Sequence, residues 1–414
     1  MAGGLLQLVA KGAQDIYLTD NPQITFFKVS YKKYTNFSIE SIPHVYKGMG
    51  TFGNKITFDI QRKGDLITNA HLEVRLPAIA NAGWVDHIGY AMIDKVELEL
   101  GGQIIDEFDG NWLYIQHQLT TSNDKEDGHN IMIGNVDELK NSDTGVDDYT
   151  LYIPLRFFFS RHSGLALPIV ALQYHDIKIH ITLKNINQLA FITNGDAYVG
   201  FESLAQCVLY IDYIYLDINE RRRFAQNSHE YLIEQVQTDN NYSVSYDSGN
   251  IMKNMQLTFN HPVKELIWCF NINGNTPDVF NFTNKSRTVS NGDYDKPVLG
   301  YMEEISKEGP LISGQLYLNG HERFSKRSAK YFNYVQPYYH HTNIPTPGIY
   351  SYSFAMKPEN YQPSGTLNMS RIDNATLNLE FKGESGKTAN INMYAVNYNI
   401  LRIVGGMGGI AYSN

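Results

Sequence analysis

Strict alternation of apolar and polar residues, repeated in short segments along the whole chain, is the feature that most constrains the fold. Side chains two residues apart lie on the same face of a β-strand, so each segment predicts a strand with one dry and one wet face. Strands of this kind are typical of antiparallel sheets packed as sandwiches. The apolar residues of four such segments are Ile56, Phe58 and Ile60; Val96, Leu98 and Leu100; Ile177, Ile179, Ile181 and Leu183; and Leu377, Leu379 and Phe381. Long helical periodicity is absent, so the sequence predicts an all-β chain with a few short helices in its connections.

The length of the chain favours two domains. A chain of 414 residues exceeds the roughly 250–300 residues at which a single core stops growing. We expect the boundary between Asp217 and Ser228, where the strand-like segment VLYIDYIYLDI passes into the polar segment NERRRFAQNS. Charged residues make up only 19% and aromatic residues 13%, which suits a β-rich protein that covers part of its surface with neighbouring molecules.

Charge and cysteine content exclude several classes of protein. The formal net charge is −9 and no basic tail occurs, whereas proteins that coat nucleic acid carry a basic face, so we expect no direct binding of nucleic acid. The N-terminal segment lacks the basic and apolar regions of a secretory signal, and no segment approaches the ~20 apolar residues of a membrane span. Cys207 and Cys269 lie in apolar segments and are expected to be buried free thiols, consistent with a reducing compartment.

None of the patterns that could indicate catalysis or metal binding has the spacing that the chemistry needs. His175 and His180 would point to opposite faces of a strand, and the neighbouring His340 and His341 would diverge, whereas catalytic zinc needs about three converging ligands. The glycine-rich segment 405–409 does not open a helix after a strand, as a nucleotide-binding loop does. The sequence therefore predicts no catalytic, cofactor or metal site, which also disfavours a jelly-roll enzyme of the cupin type.

The basic run Arg221–Arg223 lies at the expected domain boundary, directly after Glu220. It could contact nucleic acid or lipid headgroups, or its guanidinium groups could pair with carboxylates at a junction between domains. A run this short in an acidic chain favours the second interpretation.

Three long polar segments interrupt the strand pattern and are predicted to be long loops: residues 121–148, 274–311 and 319–350. The chain has N-x-Ser/Thr sequons at Asn36, Asn241, Asn281, Asn284, Asn368 and Asn374. A sequon is usable only on an exposed loop. Asn281 and Asn284 lie in the second polar segment and are therefore the candidates for glycosylation.

Six longer segments resemble, in the same order, motifs of the major capsid proteins of large double-stranded DNA viruses of eukaryotes. The resemblance is stronger to the proteins of algal viruses (phycodnaviruses) than to those of iridoviruses. The segments are Asn21–Glu40, Gly64–Thr68, Gly164–Ile179, Tyr213–Gln237, Gln362–Leu377 and Tyr394–Asn414.

This resemblance implies a double jelly roll, that is, two consecutive eight-stranded antiparallel sandwiches with long loops. It implies an N-terminal extension (1–25), a first jelly roll (26–222) and a second (223–414). Three copies would form a capsomer with six similar wedges, and trimers would tile an icosahedral shell. The resemblance also implies covalently attached glycans, minor capsid proteins or internal membrane proteins as partners of the extension, late synthesis, and assembly in the host cytoplasm.

One alternative is a carbohydrate-binding β-sandwich, such as a receptor-binding, lectin-like virion protein. The aromatic segment Tyr331–Asn343 could stack on sugar rings. The same side chains would also suit an interface between subunits, because tyrosine combines apolar area with a polar tip.

Overall fold

The computed structural model describes residues 3–140, 145–192, 198, 200, 203–246, 249–272, 278–283, 309–383 and 387–413. The chain divides into two compact units, Met1–Asn36 and Phe37–Asn414. The first unit contains two short helices, α1 (Gly3–Val9) and α2 (Ile16–Thr19), and its described residues include no buried side chain. Every strand that the structure describes belongs to the second unit.

The second unit contains two series of strands. The strands of the first series are β1 (Phe37–Val45), β2 (Lys55–Ile60), β3 (Leu66–Leu76), β4 (Gly83–Trp84), β5 (Ile93–Leu100), β6 (Gln103–Phe108), β7 (Tyr149–Leu155), β8 (Ile177–Leu183), β9 (Ala190–Phe191) and β10 (Gln206–Leu216). The strands of the second series are β11 (His229–Tyr246), β12 (Gly249–Leu257), β13 (Pro262–Ile272), β14 (Leu311–Leu318), β15 (His321–Ser328), β16 (Ile349–Ser353), β17 (Leu367–Asn368), β18 (Ala375–Gly383), β19 (Lys387–Val404) and β20 (Met407–Ile410).

Helices are short and lie between strands, as expected. They are α3 (Ile88–Ala91), α4 (Gly110–Thr120), α5 (Glu126–Ile133), α6 (Ile218–Gln226), a π-helical turn (Tyr331–Val335) and α7 (Gln336–His340). Short 3₁₀ turns occur at Asn123–Lys125, Asp137–Lys140, Phe158–Ser160, Ser163–Leu165, Ile169–Ala171, Ile186–Gln188 and Met369–Arg371. No described helix is both long and apolar enough to cross a lipid bilayer.

Each series of strands forms a jelly roll, and the two rolls share one topology. In the first roll the sheets have the orders β1-β10-β3-β7 and β2-β8-β5-β6, and β4 and β9 form a separate ribbon. In the second roll the orders are β11-β19-β13-β16 and β12-β18-β14-β15. Each roll has eight main strands, which leave out the short β4 and β9 in the first roll and β17 and β20 in the second. Counted along the chain, the first, eighth, third and sixth of these strands form one sheet in both rolls, and the remaining four form the other. The fold is the predicted double jelly roll.

The predicted dry faces are the core of the two sandwiches. All thirteen apolar residues of the four alternating segments are no more than 7% exposed. Ile179 and Ile181 of β8 are fully buried, while His180 between them lies on the wetter face. The free thiols of Cys207 and Cys269 are also buried, as predicted. Burial raises the pKa of Cys207 to about 12, so its thiolate is rare at neutral pH.

Two of the three predicted loops are wrong in part. Residues 121–148 include α5, and residues 319–350 include β15, the π-helical turn and α7. Strand β15 escaped detection because it is an edge strand with nearly all side chains exposed, so it shows no alternation. Most of the predicted loop 274–311 lies outside the described residues.

Replacing Phe381 with Ala tests the second core. Phe381 is fully buried, and its ring lies 5.1 Å from that of Phe270. We expect the free energy of unfolding to fall by about 3–5 kcal/mol, because the cavity left by a buried aromatic ring closes only in part. Denaturant unfolding measures this change. The control, Met252→Ala at a residue that is 72% exposed, should change stability by less than about 0.5 kcal/mol; equal losses in both variants would contradict the assignment of the core.

Candidate functional site: the junction of the two jelly rolls

His175 and His180, which were considered as metal ligands, instead make contacts within the fold. His175 Nδ1 lies 2.9 Å from the carbonyl oxygen of Gly408, and His180 lies 2.8 Å from the Thr57 hydroxyl and 2.9 Å from Glu99. His175 precedes strand β8, so the argument from opposite strand faces does not apply to it. Among the described residues no group of three or more His, Cys, Asp and Glu side chains could hold a metal ion.

The glycine-rich segment near the C-terminus forms a tight hairpin. Gly405 and Gly406 have φ angles of +61° and +84°, and they connect β19 to β20 through the pair Val404–Met407. Positive φ at both central residues is typical of a two-residue turn that matches the twist of its strands. Glycine is needed here for the turn.

The basic run lies on α6, between the two rolls in the chain. Arg221 Nε donates to Asp65 Oδ1 at 2.9 Å, and the other carboxylate oxygen of this buried aspartate accepts from the backbone N–H of Leu216 at 2.9 Å. This geometry favours the interpretation of the run as a structural ion pair.

Helix α4 joins the two rolls. Asp109 caps the helix by accepting from the backbone N–H of Trp112 at 2.7 Å, and it also accepts from the Tyr394 hydroxyl of β19 at 3.1 Å. The rings of Trp112 and Tyr394 are 5.3 Å apart. The start of α4, which belongs to the first roll, is therefore fixed on a sheet of the second roll.

The sheet face beneath α4 is fully covered. On the face of the second roll that points away from its own core, four side chains are no more than 3% exposed: Ile267, Cys269, Tyr394 and Val396. These residues belong to the same hydrophobic cluster as the core of the first roll. The two rolls therefore bury one continuous apolar region.

Edge strand β6 of the first roll is covered by β11 of the second. The Gln235 side-chain amide donates to the carbonyl oxygen of Ile105, and the backbone N–H of Val236 donates to the Asp106 carboxyl at 3.4 Å. Unpaired edge strands are prone to pair with other chains. Here, the second roll protects the edge.

A buried group of charges lies beside this contact. Lys264, which is fully buried, donates to Glu234 and to the carbonyl oxygen of Pro358, each at 2.6 Å. Glu234 also forms an ion pair with Arg161, which belongs to the first roll. Removing one partner of a buried pair costs about 3–5 kcal/mol, because the remaining charge has no compensation. These residues therefore specify how the two rolls meet.

His341 completes the group of charges. Its side chain is 2% exposed and lies 3.3 Å from Glu265 and 3.1 Å from Glu359. The Nε2 contact with Glu265 is ionic and is not aligned as a hydrogen bond. Burial alone would lower the pKa of His341, but the two carboxylates outweigh burial and raise the pKa to about 9. The imidazole is thus charged at neutral pH.

In a stacked pair of histidines elsewhere in the fold, the surroundings lower the pKa of both imidazoles instead of raising it. The rings of His117 on α4 and His129 on α5 are stacked 3.6 Å apart, and the Tyr90 hydroxyl lies 2.8 Å from His129 Nε2. Burial, reinforced by nearby cationic groups that include Arg156, lowers the pKa of His117 to about 3 and that of His129 to about 4. The pair is neutral and packs the two helices together. Sequence reasoning missed it because the two residues lie on different helices.

A cavity of about 910 Å³ opens beside the sheet β1-β10-β3-β7. Residues of the first roll and of the segment Glu359–Tyr361 line it. The lining includes Asn69, His71, Tyr152, Pro154, Arg156 and Tyr361. Apolar groups make up most of its exposed lining, and its volume can accept a large side chain.

The glycosylation candidates are only partly described. Asn281 is half-buried, and its side-chain oxygen accepts from the backbone N–H and the hydroxyl of Thr283, at 3.0 and 2.7 Å. Asn284 lies outside the described residues. The structure therefore places the first candidate in a partly covered turn.

The aromatic segment of the lectin alternative is helical rather than an open loop. Phe332 is fully buried in the core of the second roll, while Tyr338 and Tyr339 are 70% and 72% exposed. Only part of the segment is thus available for contacts with other molecules.

Comparisons with known proteins cover the whole chain. The family model described as "Major capsid protein N-terminus" matches residues 25–217, and the model described as "Large eukaryotic DNA virus major capsid protein" matches residues 220–409. The major capsid proteins of Pyramimonas orientalis virus and Paramecium bursaria Chlorella virus 1 are 43% and 42% identical, each over 100% of both chains.

Solved structures agree with these matches. A chain of the quasi-atomic model of the PBCV-1 virus capsid superposes with a TM-score of 0.82 at 37% identity, covering 94% of this chain and 100% of that one.

The major capsid protein of Frog virus 3 is more distant, at 27% identity over 90% of this chain and 89% of its own length. The stronger resemblance to algal viruses is confirmed.

Replacing His341 with Gln tests the charged group. A folded-state pKa above the unfolded value of 6.5 means that protonation adds stability that is complete below about pH 6.5 and is lost as the pH rises through about 9. We expect the variant to be less stable than the wild type by up to about 3 kcal/mol near pH 6, because each pKa unit corresponds to about 1.4 kcal/mol.

Denaturant unfolding of both proteins between about pH 6 and 9.5 measures this difference, which should shrink as the pH rises. The control is His340→Gln, which removes the neighbouring imidazole that lies outside the pair of carboxylates. A difference between wild type and His341→Gln that is constant with pH would show that folding does not raise the pKa of the imidazole.

Proposed function

The chain belongs to the major capsid protein family of large eukaryotic DNA viruses, and from this membership we propose that three copies form a capsomer with pseudo-sixfold symmetry. The protein is a structural component of the virus capsid and is not an enzyme. The observation that supports the trimer is the identical strand order of the two rolls. Two similar rolls in each chain give six similar wedges in a trimer, and a C₃ ring closes with one kind of contact between neighbouring chains.

Trimers would pack side by side into the outer icosahedral shell. Contacts within the trimer would be large and apolar, while contacts between trimers would be smaller and more polar. The net charge of −9 supports a shell that does not itself bind the genome. The two buried free thiols are compatible with assembly in the host cytoplasm, where disulfides are rare.

Residues 1–25 would act as an extension that reaches minor capsid proteins or internal membrane proteins beneath the capsomer, with residues 26–222 and 223–414 as the two jelly-roll domains. Several apolar side chains of the first unit support this role, because they are strongly exposed: Leu8 is 69% exposed and Val9 76%. Exposed apolar groups in such number mark contacts with other molecules. The exposed Phe26 and Phe27, at 88% and 97%, extend this apolar surface beyond residue 25.

A mass measurement on the purified protein tests the capsomer. The expected mass is three times 47.1 kDa, which is 141.3 kDa, by light scattering coupled to size-exclusion chromatography. Negative-stain images should show triangular or six-lobed particles. A stable monomer or dimer at micromolar concentration would contradict the proposal.

Glycan attachment at Asn281 or Asn284 is a separate proposal. Protein from virions should exceed the chain mass of 47.1 kDa, and Asn281→Gln or Asn284→Gln should remove part of the excess. The matched control is Asn374→Gln, whose sequon lies in the family-like segment Gln362–Leu377 and outside the long polar segment 274–311. An intact mass of 47.1 kDa would exclude glycosylation at both sites.

A further inference from the structure

The junction inside the chain shows how one roll covers the next. Two neighbouring elements of the first roll, β6 and α4, cover the outer sheet face and the edge of the second roll. They are the fifth main strand and the helix that follows it. The corresponding elements of the second roll are β15, its fifth main strand, and the helical segment Tyr331–His340, which lies between the fifth and sixth main strands.

The two corresponding helical elements differ in burial. Nine of the eleven residues of α4 are buried, because one side packs in its own roll and the other packs on the second roll. A helix that is buried all round lies between two layers of protein. In the segment Tyr331–His340, Phe332 and Asn333 are buried in their own roll, but Val335, Tyr338 and Tyr339 are 40%, 70% and 72% exposed. Only one of its two sides is covered.

The two corresponding sheet faces differ in the same way. The outer face of β11-β19-β13-β16 is buried where α4 packs on it, as at Tyr394. On the outer face of β1-β10-β3-β7, Tyr152 is 42% exposed and Val45 is 79% exposed, and the stacked rings of His71 and Tyr210 lie 5.2 Å apart. The cavity lined by His71 and Tyr152 opens on this face.

Charges on the two uncovered surfaces are complementary. Strand β15 presents the exposed cations Arg323 and Arg327, and also Lys326, which is paired with Glu380 at 2.7 Å. The outer face of the first roll carries Glu73 and Asp212, both partly exposed. Its cation Arg75 is paired with Asp148 at 2.6 Å, and Arg156, which lines the cavity, donates to the hydroxyls of Thr120 and Thr121. Opposite charges favour one orientation of two docking surfaces.

We propose that the exposed side of Tyr331–His340, together with β15, docks on the outer face of the sheet β1-β10-β3-β7 of a second copy of this chain, with an exposed tyrosine filling the cavity. The contact repeats, between chains, the packing of α4 and β6 on the second roll. It rests on the proposed trimer, whose ring closes when three copies make the same head-to-tail contact. Each chain contributes one helical surface and one receiving surface.

Single variants of each surface test the contact. Tyr339→Asp changes the helical surface, and Tyr152→Asp changes the receiving surface. Each should weaken trimer formation about tenfold or more, because buried aromatic anchors carry much of the energy of an interface. The matched control is Met252→Asp, which places the same charge at an exposed apolar residue of β12, at the opposite edge of the sheet from β15, and it should remain trimeric.

Mixing the two variants shows whether the contact is head-to-tail. The Tyr339→Asp chain keeps its receiving surface, and the Tyr152→Asp chain keeps its helical surface, so one native contact can form between them. An equimolar mixture should give a dimer of twice 47.1 kDa, which is 94.2 kDa, and no closed trimer. A mixture that regains full trimers, or that stays monomeric, would overturn the inference.

The folding of each variant is checked by circular dichroism and thermal unfolding. If either variant unfolds, Tyr338→Asp replaces the first and Val45→Asp the second, since both residues are more than two-thirds exposed. Trimeric variants beside a trimeric wild type would overturn this contact and leave the capsomer proposal intact. A wild type that is not trimeric would overturn the capsomer and, with it, this inference.

Discussion

The packing of α4 against the outer face of the sheet β11-β19-β13-β16 is the interaction on which the rest of the structure depends. It converts two sandwiches, each with its own internal core, into a body with a shared apolar region that runs from Trp112 to Tyr394. A contact of this kind behaves like the interior of a domain rather than a mobile interdomain surface. The relative orientation of the rolls is therefore fixed within one chain, and the proposed trimer needs such a fixed orientation to close its ring.

The buried charges add selectivity to this apolar contact. Arg161 from one roll reaches Glu234 of the other, Lys264 donates to the same glutamate, and His341 brings further charge into the region. Apolar surfaces can slide over one another at small cost, whereas a displaced buried ion pair leaves a charge without a partner. The two kinds of interaction thus have separate roles: the apolar region contributes stability, and the charges select one register.

The alternation predicted the dry faces of the strands, because the residues of a half-buried strand alternate between apolar and polar with a period of two. Together with the family resemblance, it also predicted the fold class. Elements whose side chains are nearly all buried or nearly all exposed show no such alternation. Helix α4 is buried on nearly all sides and β15 is exposed on nearly all sides, so neither shows a period. Contacts between distant residues, such as the stack of His117 on His129 or the ion pair of Arg221 with Asp65, depend on tertiary structure and could not be read from spacing.

The hairpin at Gly405–Gly406 has a consequence for biosynthesis. It brings Gly408 against Leu100, Leu172 and His175 of the first roll, although Gly408 lies 233 residues beyond His175 in the chain. At about 5–20 residues per second, a ribosome needs about ten to fifty seconds to cover that distance. During this interval the first roll exposes the apolar patch that β20 later covers. A product truncated before β20 would keep that patch uncovered, and exposed apolar surface of this kind is prone to aggregate.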